Sequence, residues 1–158
     1  RSGKYPTVTG LEHDQSGAPN AGAENHLRMT AKRRDKFKRM ESELPDPEWF
    51  GEPSGDTLLI SWGSSFGAAR ETTQRLIAGG GAVSHMHVKF LYPLKSSVGE
   101  AIERFKTAYT VELNDESVYG VGQLGMLLRA VTSRDNIESI CKTDGLTFKV
   151  SQILERIA

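Results

Sequence analysis

Four stretches of the chain combine residue types that chemistry needs at spacings that chemistry uses. Glu12-His13-Asp14 sets two carboxylates beside an imidazole, which could raise the histidine's pKa and orient its ring. As a metal site the triplet needs further ligands from elsewhere; otherwise it reads as a hydrogen-bonded loop knot. His85 and His87 alternate with Met86 and Val88, so both project to one side, as two metal ligands on a strand would. The competing reading is a strand face that meets a partner domain or an uncovered sheet end. Gly63-Ser64-Ser65-Phe66-Gly67 matches the Gly-x-Ser-x-Gly nucleophile elbow, with Ser65 at the apex of a strand-to-helix corner. Gly120-Val121-Gly122-Gln123-Leu124-Gly125 matches the Gly-x-Gly-x-x-Gly of dinucleotide sites, ahead of a helix.

Neither of the last two is complete. A hydrolase of that type needs an acid and then a histidine after its serine, yet only Glu71, inside a helix, precedes His85 and His87. The small residues serve a tight corner instead, with Ser64 or Ser65 as a helix cap. In the glycine motif, residues 114–119 separate the strand from Gly120, and no strand-ending acid follows about twenty residues on to hold a ribose. The helix amino terminus still suits an anion or carboxylate. A standalone nucleotide- or anion-binding α/β module using Gly120 to Gly125 is therefore the alternative reading.

The elements that position these residues follow from periodicity. Leu58, Leu59 and Ile60 form an unbroken apolar run, the mark of a parallel strand covered on both faces. From Phe66 a helix stripe runs through Ala68, Thr72 and Leu76, with Glu71 and Arg75 as a supporting pair, and Gly79-Gly80-Gly81 ends it. A second strand over 82–90 completes a strand, helix, parallel strand unit, with Met86, Val88 and Phe90 on one face and His85, His87 and Lys89 on the other. Ahead of this unit, residues 1–23 read as an extended connection and 24–44 as a helix stopped by Pro45-Asp46-Pro47. That helix holds seven basic residues between Arg28 and Arg39 against Asp35 alone. No base-stacking aromatics are interleaved, so a solvated face or one facing an acidic partner outranks a nucleic-acid site.

After the unit, Ser97-Val98-Gly99-Glu100 reads as a capping box for a helix with Val98, Ile102 and Phe105 in register. A strand over 108–113, a loop over 114–122 and a helix over 123–131 follow. Asp135-Asn136-Ile137-Glu138 reads as another capping box, opening a short helix through Ile140 and Cys141. A last strand is expected over 146–150, with Ser151 capping a final helix through Ile153, Leu154 and Ile157. Alternation of this kind predicts an α/β three-layer sandwich with helices on both faces of the sheet. Residues 1–55 are assigned to a linker plus basic helix and 56–158 to the α/β domain.

The 158 residues, 37% hydrophobic and 25% charged, suffice for one core. Twenty basic and twenty acidic residues leave zero formal charge, which removes any global field for nucleic acid or an anionic membrane. Cys141 is the single cysteine, so this chain's own thiols form neither a disulfide framework nor a cluster site. The absence of a long apolar run and of an apolar leader predicts a soluble, cytoplasmic protein, and the start without methionine suggests a piece of something longer.

Several of these stretches together resemble one family, the 2-oxoacid:ferredoxin oxidoreductases, most closely the carboxy-terminal part of the alpha subunit of the 2-oxoglutarate type. The resemblance lies in Thr9-Gly-Leu-Glu-His-Asp14 with Gly17, the helix from Asn25-His26 to Arg39, and Leu59-Ile-Ser-Trp-Gly-Ser64 with Gly67. It continues through His85-Met-His87, Leu91-Tyr-Pro-Leu94, Val111-Glu-Leu-Asn114, Gly122-Gln-Leu124, Leu127-Leu-Arg129 and Gly145-Leu-Thr-Phe-Lys-Val150. It implies a fold like the transketolase carboxy-terminal domain, a mostly parallel five-stranded sheet with one antiparallel edge strand. It also implies a thiamine-dependent complex that oxidatively decarboxylates a 2-oxoacid to acyl-CoA and reduces ferredoxin. Thiamine diphosphate and magnesium (Mg) would then be held by the preceding alpha-subunit domain and the beta subunit, with the iron–sulfur (4Fe-4S) cluster in the beta subunit and no cofactor on this chain. The domain would hold subunits in register through Glu12, His13, Asp14, His85, His87 and Gln123, without a catalytic residue of its own. One departure is the stretch 115–121, which is longer than the family pattern and puts Gln123 in a changed setting.

Overall fold

The computed structural model describes residues 9–157, which fall into two compact units that meet in sequence between Leu44 and Pro45. The first holds a turn-rich stretch and helix α1, Ala23–Glu43, in which only Asn25 and Met29 are buried. Leu44 leaves the helix in extended conformation ahead of Pro45, because the residue before proline is sterically barred from the helical region.

The second unit is an α/β sandwich built on strands β1 (Glu48–Phe50), β2 (Gly55–Ser61), β3 (Val83–His87), β4 (Phe105–Glu112) and β5 (Ile137–Cys141). Helices α2 (Phe66–Ala78), α3 (Ser96–Ile102), α4 (Gln123–Thr132) and α5 (Val150–Ile157) connect or follow them. The strand order is β1-β3-β2-β4-β5, with β1 antiparallel to β3 and every other pair parallel. The mostly parallel five-stranded sheet with one antiparallel edge is thus borne out. The edge strand is Glu48–Phe50, so part of the stretch grouped with the leader pairs into the sheet.

Each face of the sheet carries its own apolar layer. Leu58, Ile60, Met86, Ile102, Phe105, Leu124, Leu128 and Ile137 fill one side, and Leu59, Ala69, Val111, Ile140, Phe148 and Ile153 fill the other. Leu58, Leu59 and Ile60 are completely inaccessible to water, each stabilising the fold by roughly 1.5–3 kcal/mol. Neighbouring residues on β2 thus face opposite layers, which is why the run lacks polar alternation.

Four local expectations need correction. Residues 137–141 form β5, not a helix: pairing with β4 overrides the capping-box pattern, and Asn136 and Arg134 spend their side chains on the carbonyls of Lys106, Ile102 and Phe105. The stretch 146–150 is not a strand; Leu146 is exposed, Phe148 alone plugs the core, and α5 begins at Val150. Phe105 opens β4 rather than extending α3. Finally, the expected helix caps do not form: Ser97 Oγ donates to Asp46, and Ser65 Oγ closes only the short 63–65 turn, accepting the Trp62 N–H at 3.3 Å and turning to the carbonyls of Trp62 and Val111, with no cap bond to α2.

Candidate functional site

The carboxyl ends of parallel strands are where α/β folds place ligands, and here they bring Ser61, His87, Glu112 and Cys141 to one edge. Two polar clusters occupy that edge. In the first, Ser61 Oγ lies 2.7 Å from His85 Nε2 and 2.7 Å from His87 Nδ1. A hydroxyl has one proton to give, so it donates to one imidazole and accepts an N–H from the other; the two rings hold complementary hydrogen positions. The strand alternation expected for His85 and His87 is present, but their face is interior. Phe66, at the start of α2, packs on both rings with centroids 5.7 and 4.8 Å away.

Burial pushes the His85 pKa down to about 4 and lowers that of His87 as well, with the neighbouring imidazole and Arg70 adding to the shift at His85. Both rings are therefore neutral near pH 7. Among the described residues no group of three histidine, cysteine or acidic side chains is placed to hold a metal ion. Ser61 has an imidazole beside it as a nucleophilic serine would, but it is fully buried and no substrate reaches it. Ser65, the apex of the elbow motif, is buried with its hydroxyl bonded to main-chain carbonyls. The hydrolase machinery is not assembled.

The second cluster is centred on Glu112, whose side chain is wholly buried. Its carboxylate accepts from the backbone N–H of Leu124 at 2.8 Å and of Gly125 at 3.0 Å, from Thr110 Oγ1 at 2.6 Å and from Asn114 Nδ2 at 3.1 Å. The free amides of the α4 amino terminus, the place the glycine motif offers to an anion, are thus taken by the chain's own carboxylate. The glycines fit that arrangement. A Cβ at Gly122 would fall 2.5 Å from Glu112 Oε1, and one at Gly125 would fall 2.4 Å from Ser139 Oγ. A bare backbone lets the acid and helix meet, so the motif serves internal packing and the nucleotide-module alternative is not favoured.

Sequence reasoning missed Glu112 as a functional group. Its signal was a lone acid ending an apolar strand, followed by a helix that opens on glycines. Gln123, in the first turn of that helix, points to solvent. Cys141 closes β5, with burial and the acids Glu112, Glu116 and Asp115 raising its thiol to about 11.

In the first unit, the Glu12-His13-Asp14 triplet forms a knot around α1. Glu12 accepts from Arg33 Nη2 at 2.7 Å and meets His26 Nδ1 at 2.8 Å; these contacts hold its carboxyl below the usual range. Asp14 Oδ1 accepts from the Ser16 hydroxyl at 2.6 Å and the backbone N–H groups of Ser16 and Ala18 at 2.8 and 3.2 Å, lowering its pKa likewise. His13 Nδ1 lies 2.7 Å from the Asp14 carbonyl, so that nitrogen carries the proton, and its ring remains exposed. Buried Asn25 ties the knot to α1 by donating to the carbonyls of His13 and Asn20. Glu12 and Asp14 thus serve loop and helix rather than the imidazole between them.

A thiamine–metal site or an iron–sulfur cluster does not fit these residues. The only cysteine is a protonated, half-buried thiol, and the one buried carboxylate among the described residues, Glu112, has its oxygens taken by the chain's own donors.

The strand order, with one antiparallel edge and an apolar layer on each face, defines a mostly parallel α/β domain. No protein-family model matches the chain. Among characterised proteins it is 31% identical over 156 residues to 2-oxoglutarate oxidoreductase subunit KorA of Mycobacterium tuberculosis, an alignment covering 94% of this chain and 23% of that protein. It is 34% identical over 157 residues to 2-oxoacid:ferredoxin oxidoreductase 2, subunit alpha, of Aeropyrum pernix, covering 95% of this chain and 24% of the relative. The solved structure of 2-oxoglutarate:ferredoxin oxidoreductase from Magnetococcus marinus, with 2-oxoglutarate, coenzyme A and succinyl-CoA bound, superimposes with a TM-score of 0.83. That match has 33% identity and covers 97% of this chain and 26% of the other. The chain is therefore a relative, along nearly its whole length, of the 2-oxoacid:ferredoxin oxidoreductase alpha subunits, and spans about a quarter of the relatives it matches.

Proposed function

We propose that this chain is the carboxy-terminal domain of the alpha subunit of a thiamine-dependent 2-oxoacid:ferredoxin oxidoreductase acting on 2-oxoglutarate. The whole complex would decarboxylate the 2-oxoacid oxidatively, deliver the acyl group to coenzyme A and pass electrons to ferredoxin in the cytoplasm. Thiamine diphosphate, magnesium and the 4Fe-4S cluster would reside in the remainder of the alpha subunit and in the beta subunit. The observation that carries this reading is 33% identity at a TM-score of 0.83 over 97% of the chain to the 2-oxoglutarate enzyme.

Within that assembly the domain acts as a scaffold. Glu12, His13, Asp14 and Gln123 are its contact residues toward neighbouring subunits. His85 and His87 act from beneath, holding the ends of β2 and β3 rigid through Ser61. Such a role asks for a surface of fixed shape, and internally satisfied polar clusters provide one. The closed amino terminus of α4 supports this reading over the nucleotide module.

The test is purification of the native polypeptide through a tag on its beta subunit, with assay of 2-oxoglutarate-dependent, coenzyme A-dependent reduction of a ferredoxin. The expected result is a chain about four times longer than this one, given its quarter coverage of relatives, in an active complex. A native polypeptide of this length that copurifies with no partner and supports no such activity overturns the proposal. Replacing His13 and Gln123 by alanine should weaken subunit association while leaving the melting of the domain unchanged. Equal losses in both would confine them to local structure.

A further inference from the structure

Helix α1 is 21 residues long with only two buried; Glu24 in its first turn suits the helix dipole, but its last turn does not. No basic side chain lies in its last turn, where the carbonyl end of the helix dipole would welcome one; Glu41 and Glu43 stand there instead. The basic residues are gathered further back. Arg28, Lys32, Lys36 and Arg39 follow at intervals of four, four and three, which places all four on one line along the helix. The line spans about 16 Å at 1.5 Å of rise per residue. All four side chains are exposed, and among the described residues none of them meets a carboxylate. Arg28 reaches only the Asn25 amide, and the Lys36 ammonium sits 5.1 Å from the Phe37 ring centroid. Like charges one turn apart repel, a cost partly offset where Glu24, Asp35 and Glu43 stand four residues from Arg28 or Arg39.

A helix that is polar nearly all round, with a row of exposed cations that no carboxylate meets among the described residues, presents a face suited to a partner. We propose that the Arg28–Lys32–Lys36–Arg39 stripe docks on a carboxylate-lined surface of another polypeptide in the assembled enzyme. This rests on the subunit reading above and adds the chemistry of one contact to it. Phosphate is the poorer fit: the chain has no net charge to draw it, Glu24, Asp35, Glu41 and Glu43 lie on the same helix, and Phe37 is half-buried rather than presented on the stripe for base stacking. Carboxylates spaced along a protein surface match a row of cations alternating with neutral side chains, and such a contact sets docking register and speed.

The experiment is zero-length carbodiimide cross-linking of the native complex, which joins an amine to a carboxylate only where the two already touch, followed by peptide mass spectrometry. Lys32 and Lys36 should appear linked to aspartate or glutamate of a second polypeptide. A fourfold glutamine variant (R28Q, K32Q, K36Q, R39Q), which removes charge and keeps helix propensity, should weaken subunit association roughly tenfold or more and flatten its salt dependence. Circular dichroism of the variant should show the helix retained; if α1 melts, the cross-links on the unmodified complex still decide. Absence of such cross-links, or unchanged association in the variant, overturns the inference while the complex itself stands. Copurifying nucleic acid released by salt in step with loss of the stripe would overturn it in favour of a phosphate partner. A wild-type chain that assembles with nothing overturns the subunit reading and this inference together.

Discussion

Glu12 and Glu112 are the same residue doing the same task in two settings. Each carboxylate gathers donors from a helix and so pins the segment before that helix to it. Glu12 holds Arg33 and His26 on the surface of the first unit, where water competes for every partner. Glu112 holds the α4 amides, Thr110 and Asn114 where water is absent. The lesson is that the strength of a carboxylate hub is set less by its number of partners than by what replaces them when it is removed. Solvent steps in at Glu12; nothing does at Glu112.

The largest effect should follow from Glu112→Ala, which strands the buried amides of Leu124 and Gly125 and should cost about 3–5 kcal/mol in denaturant unfolding. Glu112→Gln, which keeps an acceptor and the volume, should lose less. If Glu112→Ala unfolds no more easily than Glu12→Ala, burial is not what separates the two hubs. Next comes Gly122→Ala, whose new methyl meets the Glu112 carboxyl at 2.5–2.7 Å and should destabilise by about 1–3 kcal/mol. That loss should shrink sharply in a Glu112→Ala background, because the clash partner is gone.

Acid should reveal the third effect. The folded-state pKa of His85 is depressed to about 4, so between the unfolded value of 6.5 and 4 the unfolded chain binds a proton that the folded chain does not. Stability is present in full above pH 6.5, falls by roughly 3 kcal/mol as pH drops to 4, and loses nothing more from this group below that. A His85→Gln variant should show a flatter pH profile over that window. The smallest effect is expected for Glu12→Gln, a shift in melting midpoint near the limit of detection that fades as salt is added.

The central strand, helix, strand unit is legible in the sequence because Leu58, Leu59 and Ile60 leave no alternation and three glycines end α2. Alternation likewise placed His85 and His87 on one face, but periodicity cannot say whether such a face is covered, and α2 lays Phe66 over it. The segment 135–141 misleads because a capping box is a local pattern, while β5 exists only through pairing with β4. Glu112 was the hardest to see. Its partners lie at positions 110, 114, 124 and 125, and the contact with α4 depends on the path of the intervening loop, which no spacing rule supplies.

The two margins of the sheet have a consequence for solubility. An open strand edge invites the backbone of a neighbouring molecule, and long, flat apolar edges are where ordered aggregates start. Here one margin is β1, three residues long and running against its neighbour, with Glu48 exposed and paired to Lys89. The other is β5, five residues long with Glu138 turned outward. Short charged margins give a stray strand little to zip onto, so in a crowded solution the domain resists recruiting copies of itself into a growing sheet.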